Sequence, residues 1–232
     1  MFQIQIIATG SKGNAYAIRD GDETILIDPG IPIKEIQKAL NFGVSRLKFC
    51  LVSHEHQDHC KAVKDIMGLG VPCAMSAGTL NAIGPDNFAS LPLILNSRKP
   101  AIFESWTVLP FDLVHDAAEP LGFLIQSPTG KKICFATDTA RIDFDFSGVT
   151  HWLVEANYSE ELLTESTRPE TVKDRIRASH MSIENLCEFF KRQDLSATEE
   201  IYLIHLSDNN SDEKLFKKII EKTTGKPLYD NR

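Results

Sequence analysis

Three histidines and one aspartate lie within six consecutive residues of this sequence, at His54, His56, Asp58 and His59. Imidazole is the side chain that binds metals most often, and carboxylate is the usual oxygen ligand, so this stretch predicts a metal site. Side chains two residues apart lie on one side of an extended backbone, which allows His54 and His56 to face one ion. Asp58 and His59 follow a turn and could face a second ion.

The elements on either side place this stretch in the chain. Residues 49–52 form an apolar run typical of a buried strand, and residues 61–67 have the pattern of a helix. The cluster is therefore predicted to lie on a loop at the carboxyl end of a strand, where α/β folds commonly place their sites.

Other metal-binding side chains directly follow predicted strands, at His115, Asp138 and His205. One such residue alone would ordinarily be a core or turn residue, but the repeated position predicts that they complete the same site. His180 lies at a predicted helix start. His151 opens a strand instead of following one, which indicates a structural role.

A site for two metal ions needs about three protein ligands for each ion, a bridging oxygen and an open position for water. The candidate ligands divide in this way, with His54, His56 and His115 at one ion, Asp58, His59 and His205 at the other, and Asp138 bridging. Two ions about 3.5–4 Å apart can lower the pKa of a shared water from about 15.7 toward about 7. His180 is left to transfer a proton or to stabilise charge on a substrate.

Three polar residues near these ligands have two possible roles each. Asp28 follows the predicted strand 24–27 and is either a turn former or a carboxylate that orients a ligand histidine. Ser182 and Asn209 are candidate phosphate contacts, and each also fits a helix cap or a turn.

The composition indicates a globular protein with one domain over residues 1–232, at 42% hydrophobic residues and 25% charged residues. No apolar run approaches the roughly 18 to 20 residues that cross a bilayer, and the first residues lack the basic start of a signal peptide. Five cysteines without C-x-x-C spacing favour reduced thiols and a cytoplasmic location. Cys60 adjoins the cluster and could also bind a metal.

The net charge of −7 argues against charge-driven binding to nucleic acid over a broad surface or to anionic membranes. It allows a phosphodiester held locally, because metal ions would supply positive charge at the site. Basic residues gather in one segment just ahead of His180, at Arg168, Lys173, Arg175 and Arg177. This segment is either a solvated helix face or a phosphate-binding patch.

Predicted strands come in an early set and a late set, each followed by helices. The early strands are 2–8, 15–19, 24–27, 49–52, 71–75 and 91–95, and the late ones are 106–109, 111–114, 122–126, 132–136, 152–154 and 201–204. Helices are predicted at 33–40, 61–67, 77–83, 159–165, 170–177, 182–193 and 211–222. This order predicts an α/β fold in which two mixed sheets pack face to face with helices outside, a four-layer αββα sandwich.

The motifs together resemble the metallo-β-lactamase fold superfamily of metal-dependent hydrolases, whose H-x-H-x-D-H signature matches residues 54–59. The later single ligands of that superfamily match His115, Asp138 and His205, and residues 9–14 and 26–30 resemble its opening elements. Residues 114–120, 137–139, 179–182 and 205–210 resemble the WalJ/YycJ subgroup, which is similar to RNase Z and RNase J and is associated with exonuclease activity on DNA. By the same resemblance, His180 matches a histidine that phosphodiesterase branches place near the scissile phosphate.

The resemblance implies a metal-dependent phosphodiesterase, a nuclease that acts as a DNA exonuclease, with two divalent ions per chain. Zn²⁺, Mn²⁺ and Fe²⁺ all suit the mixed ligands. A hydroxide bridging the ions would attack phosphorus, Asp58 and Asp138 would hold the ions and orient it, and His180 would protonate the leaving oxygen or bind a phosphate oxygen.

Two other classes of function fit the same residues. One is hydrolysis of a small cyclic phosphodiester, ester, lactone or thioester, since the same ligands can activate water against a carbonyl. The other is a metal-stabilised binding module without catalysis. The sequence alone leaves open whether the substrate is DNA or RNA, and how many subunits assemble.

Overall fold

The computed structural model describes residues 1–88 and 92–229 of the chain, and the statements below concern these residues. Their strands form two sheets of six strands each. The two mixed sheets with flanking helices confirm the predicted α/β class. By the density of its backbone contacts the chain forms two compact units, of which the first consists of Met1–Asp112, Ala117–Leu121 and Ser127–Thr129. The second unit consists of Leu113–Asp116, Gly122–Gln126 and the chain from Gly130 onward. One domain over residues 1–232 stays a prediction.

The first sheet follows the order of the chain. Its strands are β1 (Phe2–Ala8), β2 (Ala15–Asp20), β3 (Glu23–Ile27), β4 (Cys50–Leu51), β5 (Cys73–Ser76) and β6 (Leu93–Leu95). Strands β1 to β3 pair antiparallel through short turns, and β3 to β6 pair parallel. The carboxyl ends of β3 and β4 therefore meet at one edge of this sheet.

The second sheet has the order β12-β11-β10-β9-β8-β7. Its strands are β7 (Ala101–Phe103), β8 (Trp106–Asp112), β9 (Leu121–Gln126), β10 (Lys132–Ala136), β11 (His151–Glu155) and β12 (Glu200–Ile204). Strands β10, β11 and β12 pair parallel, so the residues that follow them share one edge.

Helices connect most of the parallel strands, as in βαβ units, while β10 and β11 are joined by the non-helical segment 137–150. The helices are α1 (Ile33–Ala39), α2 (Gln57–Cys60), α3 (Val63–Gly68), α4 (Ala77–Ile83), α5 (Glu160–Glu165), α6 (Glu170–Ser179), α7 (Ile183–Arg192) and α8 (Glu213–Thr224). Single 3-10 turns cover Val44–Arg46 and Pro85–Asn87. None of the helices in the described part of the chain has the length and apolar character that crossing a membrane requires.

Each unit has its own apolar core. In the first unit, β2 to β5 pack against α1 and α3, with residues such as Leu26, Ile36 and Ile66 almost fully buried. In the second unit, the Trp152 ring of β11 meets Phe189 and Phe190 of α7 edge-to-face, with ring centres 5.7 and 5.5 Å away. Burial of each such side chain contributes about 1.5–3 kcal/mol to the stability of the fold. This packing holds in place the strand ends that carry the polar residues described below.

The structure corrects several element predictions. The loop predicted for residues 53–59 includes the helical turn α2, so Asp58 and His59 lie on helix. The sequence predicts two strands at 106–109 and 111–114, but residues 106–112 form the single strand β8. Pro110 is tolerated within it because it lies beyond Val108, the last residue paired with β7. Strand β7 is absent from the sequence prediction. His180 follows the end of α6 instead of starting a helix, and Ser182 is the residue that caps α7.

Candidate metal centre

In the first unit, the imidazoles of the H-x-H-x-D-H stretch lie against one another. The ring centre of His54 is 4.7 Å from that of His56 and 4.2 Å from that of His59. Asp58 Oδ2 lies 3.6 Å from His59 Nε2. His54 and His59 are fully buried. Packing three imidazoles beside a carboxylate is costly for a core and suits metal binding.

The backbone explains why Asp58 and His59 join this group. His56 has extended backbone angles and precedes α2, so the chain turns into a helix directly after it. The helical turn brings Asp58 and His59 back toward the end of β4, while His54 and His56 still lie on extended chain.

Asp28 fixes the orientation of two of these histidines. Its Oδ2 accepts a hydrogen bond from Nδ1 of His59 at 2.8 Å and one from the Ser53 hydroxyl at 2.8 Å. Since the Ser53 hydroxyl donates to Asp28, it accepts from Nδ1 of His54 at 3.0 Å. Both imidazoles therefore carry their proton on Nδ1 and present the Nε2 lone pair, which is the form that binds metal. Ser53 was not predicted, since its role depends on this three-dimensional relay.

In the second unit, three parallel strands deliver polar side chains to one edge. Asp138 lies two residues after β10, Glu155 ends β11, and His205 directly follows β12. Asp138 and His205 have left-handed backbone angles, with φ of 47° and 52°. Such angles cost a residue other than glycine about 1–2 kcal/mol, and strain of this kind concentrates at functional sites.

The polar atoms at this edge form one tight group. His205 Nδ1 lies 2.9 Å from Asp138 Oδ1 and 2.8 Å from Glu155 Oε1. His180 Nδ1 lies 2.8 Å from the same Glu155 oxygen. One ligand atom from each of these four residues lies within 4.8 Å of the others. His115 joins them, with its Nε2 3.5 Å from Asp138 Oδ2 and its Nδ1 donating to the Ser179 carbonyl at 2.8 Å.

Glu155 is a candidate site residue that the sequence did not predict. Its Oε2 accepts from the backbone N–H groups of Thr139 and Met181, at 2.9 and 3.0 Å. It thus ties down the loops that carry Asp138 and His180. The signal was present, since Glu155 directly follows the apolar run 152–154, in the same position that singled out His115, Asp138 and His205.

The buried carboxylates of this group favour the binding of a cation. Glu155 and Asp138 are 1% and 3% exposed. Burial lowers the pKa of His205, but the neighbouring Asp138 and Glu155 charges outweigh burial and raise that pKa well above its usual value. Burial also lowers the pKa of His180, and the charge and hydrogen bond of Glu155 raise it above the usual value. Buried carboxylates thus draw positive charge onto imidazoles, a demand that a divalent ion would meet.

His115 and His151 lie in different settings. Burial lowers the pKa of His115, so this imidazole is neutral at pH 7 and able to bind a metal. His151 is buried at the start of β11 with Nδ1 2.9 Å from the Thr150 hydroxyl, outside the polar groups described above.

The candidate substrate contacts lie in different settings. Ser182 is 2% exposed and its hydroxyl accepts from the N–H of Asn185 at 3.1 Å, which is the geometry of a helix cap. Asn209 is exposed in the turn after His205.

Cys60, the candidate thiol ligand, donates to the Glu55 carbonyl at 3.0 Å. Burial raises the pKa of its thiol to about 12, which disfavours the thiolate that binds metals.

Most of the basic segment is already paired with acidic groups. Arg175 lies 2.7 Å from Asp116, and Arg177 lies 3.0 Å from Glu160. The Lys173 ammonium donates to the Thr164 carbonyl at 2.9 Å and is almost fully buried. These contacts favour a stabilised helix over a phosphate-binding patch.

Comparison with known proteins gives consistent matches along most of the chain. The model of the Beta-lactamase superfamily domain matches residues 23–206. The chain is 27% identical over 229 residues to exodeoxyribonuclease WalJ of Streptococcus pneumoniae, covering 92% of this chain and 85% of that protein. It is 28% identical over 229 residues to exodeoxyribonuclease YycJ of Bacillus anthracis, covering 90% and 84%. The crystal structure of the metallo-beta-lactamase fold protein YhfI from Bacillus subtilis superposes with a TM-score of 0.75 at 14% identity, over 98% of this chain and 95% of the other, and so shares the fold.

Proposed function

We propose that this chain, which belongs to the beta-lactamase superfamily, is a metal-dependent nuclease that removes nucleotides from DNA ends. The observation that carries the reaction class is the Glu155–His180 pair, which places a buried carboxylate 2.8 Å from Nδ1 of a histidine beside the Asp138 and His205 group. The relatives named exodeoxyribonucleases, which match about nine-tenths of the chain, support DNA as the substrate.

The ligand assignment follows the sequence prediction. One ion would be held by His54, His56 and His115, a second by Asp58, His59 and His205, and Asp138 would contact both. When bound, divalent ions such as Zn²⁺, Mn²⁺ or Fe²⁺ would neutralise phosphate oxygens and lower the pKa of an attacking water. The fixed Nδ1–H tautomers of His54 and His59 and the buried carboxylates of the second unit support this assignment.

His180 supplies the proton that the leaving oxygen needs. Glu155 accepts from its Nδ1, so the opposite nitrogen, Nε2, is the atom that can donate to a substrate. The charge and hydrogen bond of Glu155 outweigh burial and raise the pKa of His180 above its usual value, which favours the protonated ring that a general acid requires. One-fifth of the side chain is exposed, which gives a phosphate access to it.

The remaining acidic residues position the reactants. Asp58 and Asp138 would hold the ions and orient an attacking water, while Glu155 holds His180 through its contact with Nδ1. The five free cysteines, four of them buried, support a reducing cytoplasmic location.

The Ser182 hydroxyl already caps α7, so we propose that Ser182 contacts the substrate only through its backbone, near His180. Asn209 lies on an exposed turn and stays a proposed phosphate contact.

A comparison of model substrates tests the reaction class. The metal-loaded protein is assayed with bis-p-nitrophenyl phosphate, a thioester and a lactone at equal concentrations. We expect hydrolysis of the phosphodiester alone. The His180→Ala variant should lose much more activity on DNA than on bis-p-nitrophenyl phosphate, because p-nitrophenolate leaves without protonation. Preferred hydrolysis of the thioester or the lactone would overturn the proposal in favour of a carbonyl hydrolase.

A further inference from the structure

We propose that Asn14 is a positioning residue that holds the Asp58–His59 turn and the His59 imidazole ready for metal binding; this inference rests on the proposed function. Asn14 directly precedes β2 and ends the turn-rich segment 9–14. Its side chain is fully buried although it is polar, and every polar group of the residue has a partner described below. The residue therefore has a specific task in the first unit.

Main-chain groups join Asn14 to the helical turn α2. The Asn14 N–H donates to the Asp58 carbonyl at 2.8 Å, and the Asn14 carbonyl accepts from the N–H of Gly30 at 2.7 Å. At Gly30 the backbone approaches so closely that a Cβ atom would lie 1.7 Å from the Asp58 carbonyl oxygen. Three chain segments thus meet at the peptide between Asp58 and His59, with Asn14 bonded to both of the others.

The side-chain amide then reaches the ligand itself. Asn14 Nδ2 donates to the Gly10 carbonyl at 3.1 Å and to the Asp58 carbonyl at 3.2 Å, and it also lies 3.0 Å from Nε2 of His59. An amide nitrogen can only donate, so its two hydrogens are shared among these three acceptors, and the proton of the His59 ring is on Nδ1, where Asp28 accepts it. Asn14 and Asp28 therefore hold the two nitrogens of one imidazole, and both favour the tautomer that a metal requires.

Two further hydrogen bonds fix which way the amide points. Its Oδ1 accepts from the Gly10 N–H at 3.0 Å and from the Tyr16 hydroxyl at 3.0 Å. A flipped amide would set Nδ2 against these donors, so the orientation toward His59 is determined. An ion that takes the Nε2 lone pair would replace one Asn14 contact, while the others would still hold the turn.

The test measures metal affinity in Asn14→Ala by titrating the metal-free protein with Zn²⁺ in a calorimeter. We expect the affinity for one of two ions to fall about 10–100-fold, because the partners that orient metal-binding histidines have effects of this size. The affinity for the other ion should stay within a factor of two or three. Tyr16→Phe, which removes only the hydroxyl that aims the amide, should weaken the same ion by a smaller factor and serves if Asn14→Ala does not fold.

Asp20→Ala is the matched control. Asp20 ends the same strand that Asn14 precedes, is nearly fully buried, and accepts two hydrogen bonds from Thr129. It should lower the melting temperature without changing metal affinity. Wild-type affinity for both ions in Asn14→Ala and in Tyr16→Phe, or an equal loss in Asp20→Ala, would overturn the inference while the proposed function stands. A wild-type protein that binds no Zn²⁺ would instead contradict the proposed function.

Discussion

Oxygen Oε1 of Glu155 lies 2.8 Å from Nδ1 of His180, and Glu155 is almost wholly shielded from solvent. The contact orients the ring and supplies the charge that raises its pKa. Among His115, His180 and His205 at this edge of the sheet, His180 has the most exposed side chain, at 20% against 2% and 4%. It is therefore the histidine that a substrate can reach.

Removal of His180 should slow the chemical step strongly and leave metal binding intact. We expect kcat for a phosphodiester to fall about 10²–10⁴-fold in His180→Ala, which is the usual contribution of a general acid. Glu155→Gln, which keeps the shape and removes the charge, should lower kcat in the same direction. Steady-state kinetics and metal analysis of each variant provide the measurement.

The control for these variants is His151→Gln. His151 begins the same strand that Glu155 ends and contacts Thr150. Its replacement should leave kcat within a factor of two or three. Loss of bound metal in His180→Ala would show that His180 is a ligand, contrary to the assignment.

Loss of the Asp28 charge should weaken metal binding through His54 and His59. Asn tolerates the left-handed backbone at this position, where φ is 53°, so Asp28→Asn should fold and lose about 10–100-fold in metal affinity. Asp28→Ala should lose affinity similarly and in addition lose roughly 1 kcal/mol or more of stability to backbone strain. Calorimetric titration and urea unfolding separate the two effects. Wild-type affinity in both variants would remove Asp28 from the metal centre.

Any side chain at Gly30 should distort the Asp58–His59 turn. The Cβ atom of Gly30→Ala would meet the Asp58 carbonyl oxygen at 1.7 Å, so the backbone must move, and we expect a loss of stability of about 3 kcal/mol or more. Gly68→Ala is the matched control, because a Cβ atom there meets open space and should change stability by less than about 1 kcal/mol. Urea denaturation of both variants gives the comparison. Equal stabilities would show that the close approach at Gly30 is not required.

Asp20 should make the fold sensitive to acid. Burial raises the pKa of Asp20, but hydrogen bonds from Ser127 and Thr129 outweigh burial and lower it below the usual value. Stability from such a carboxylate is present above its unfolded pKa of about 3.9 and is lost as pH falls through the lower folded value. Asp20→Asn should therefore be less stable at neutral pH and lose less stability between about pH 4 and pH 2. Unfolding free energies of both proteins over this range test the sign, and parallel curves would contradict it.

The sequence predicts most elements of the site because the ligands follow apolar runs. Asp138 and His205 come shortly after buried strands, and His115 follows β8 by three residues, so hydrophobic periodicity together with the H-x-H-x-D-H stretch singles them out. The turn α2 escapes the same reasoning, since it has four residues and its N-cap, His56, makes no side-chain cap hydrogen bond. Helix signals need longer segments than this to stand out.

Side chains that act through another residue are hidden from the sequence. Ser53 and Asn14 are ordinary loop residues until the fold brings them to His54 and His59. The left-handed backbone at Asp28, Asp138 and His205 is also hidden, because local preference places such angles mostly at glycine. At these positions long-range contacts override local preference, as is common where function requires strain.

Digestion of end-labelled DNA by the metal-loaded protein tests the central claim most directly. Single-stranded and double-stranded substrates labelled at the 5′ or the 3′ end are incubated with Mn²⁺ or Zn²⁺ and with a chelator. We predict stepwise release of nucleotides from one end, abolished by the chelator and reduced at least about 10²-fold in His180→Ala. Protein that binds two metal ions per chain and leaves every labelled DNA intact would contradict the account.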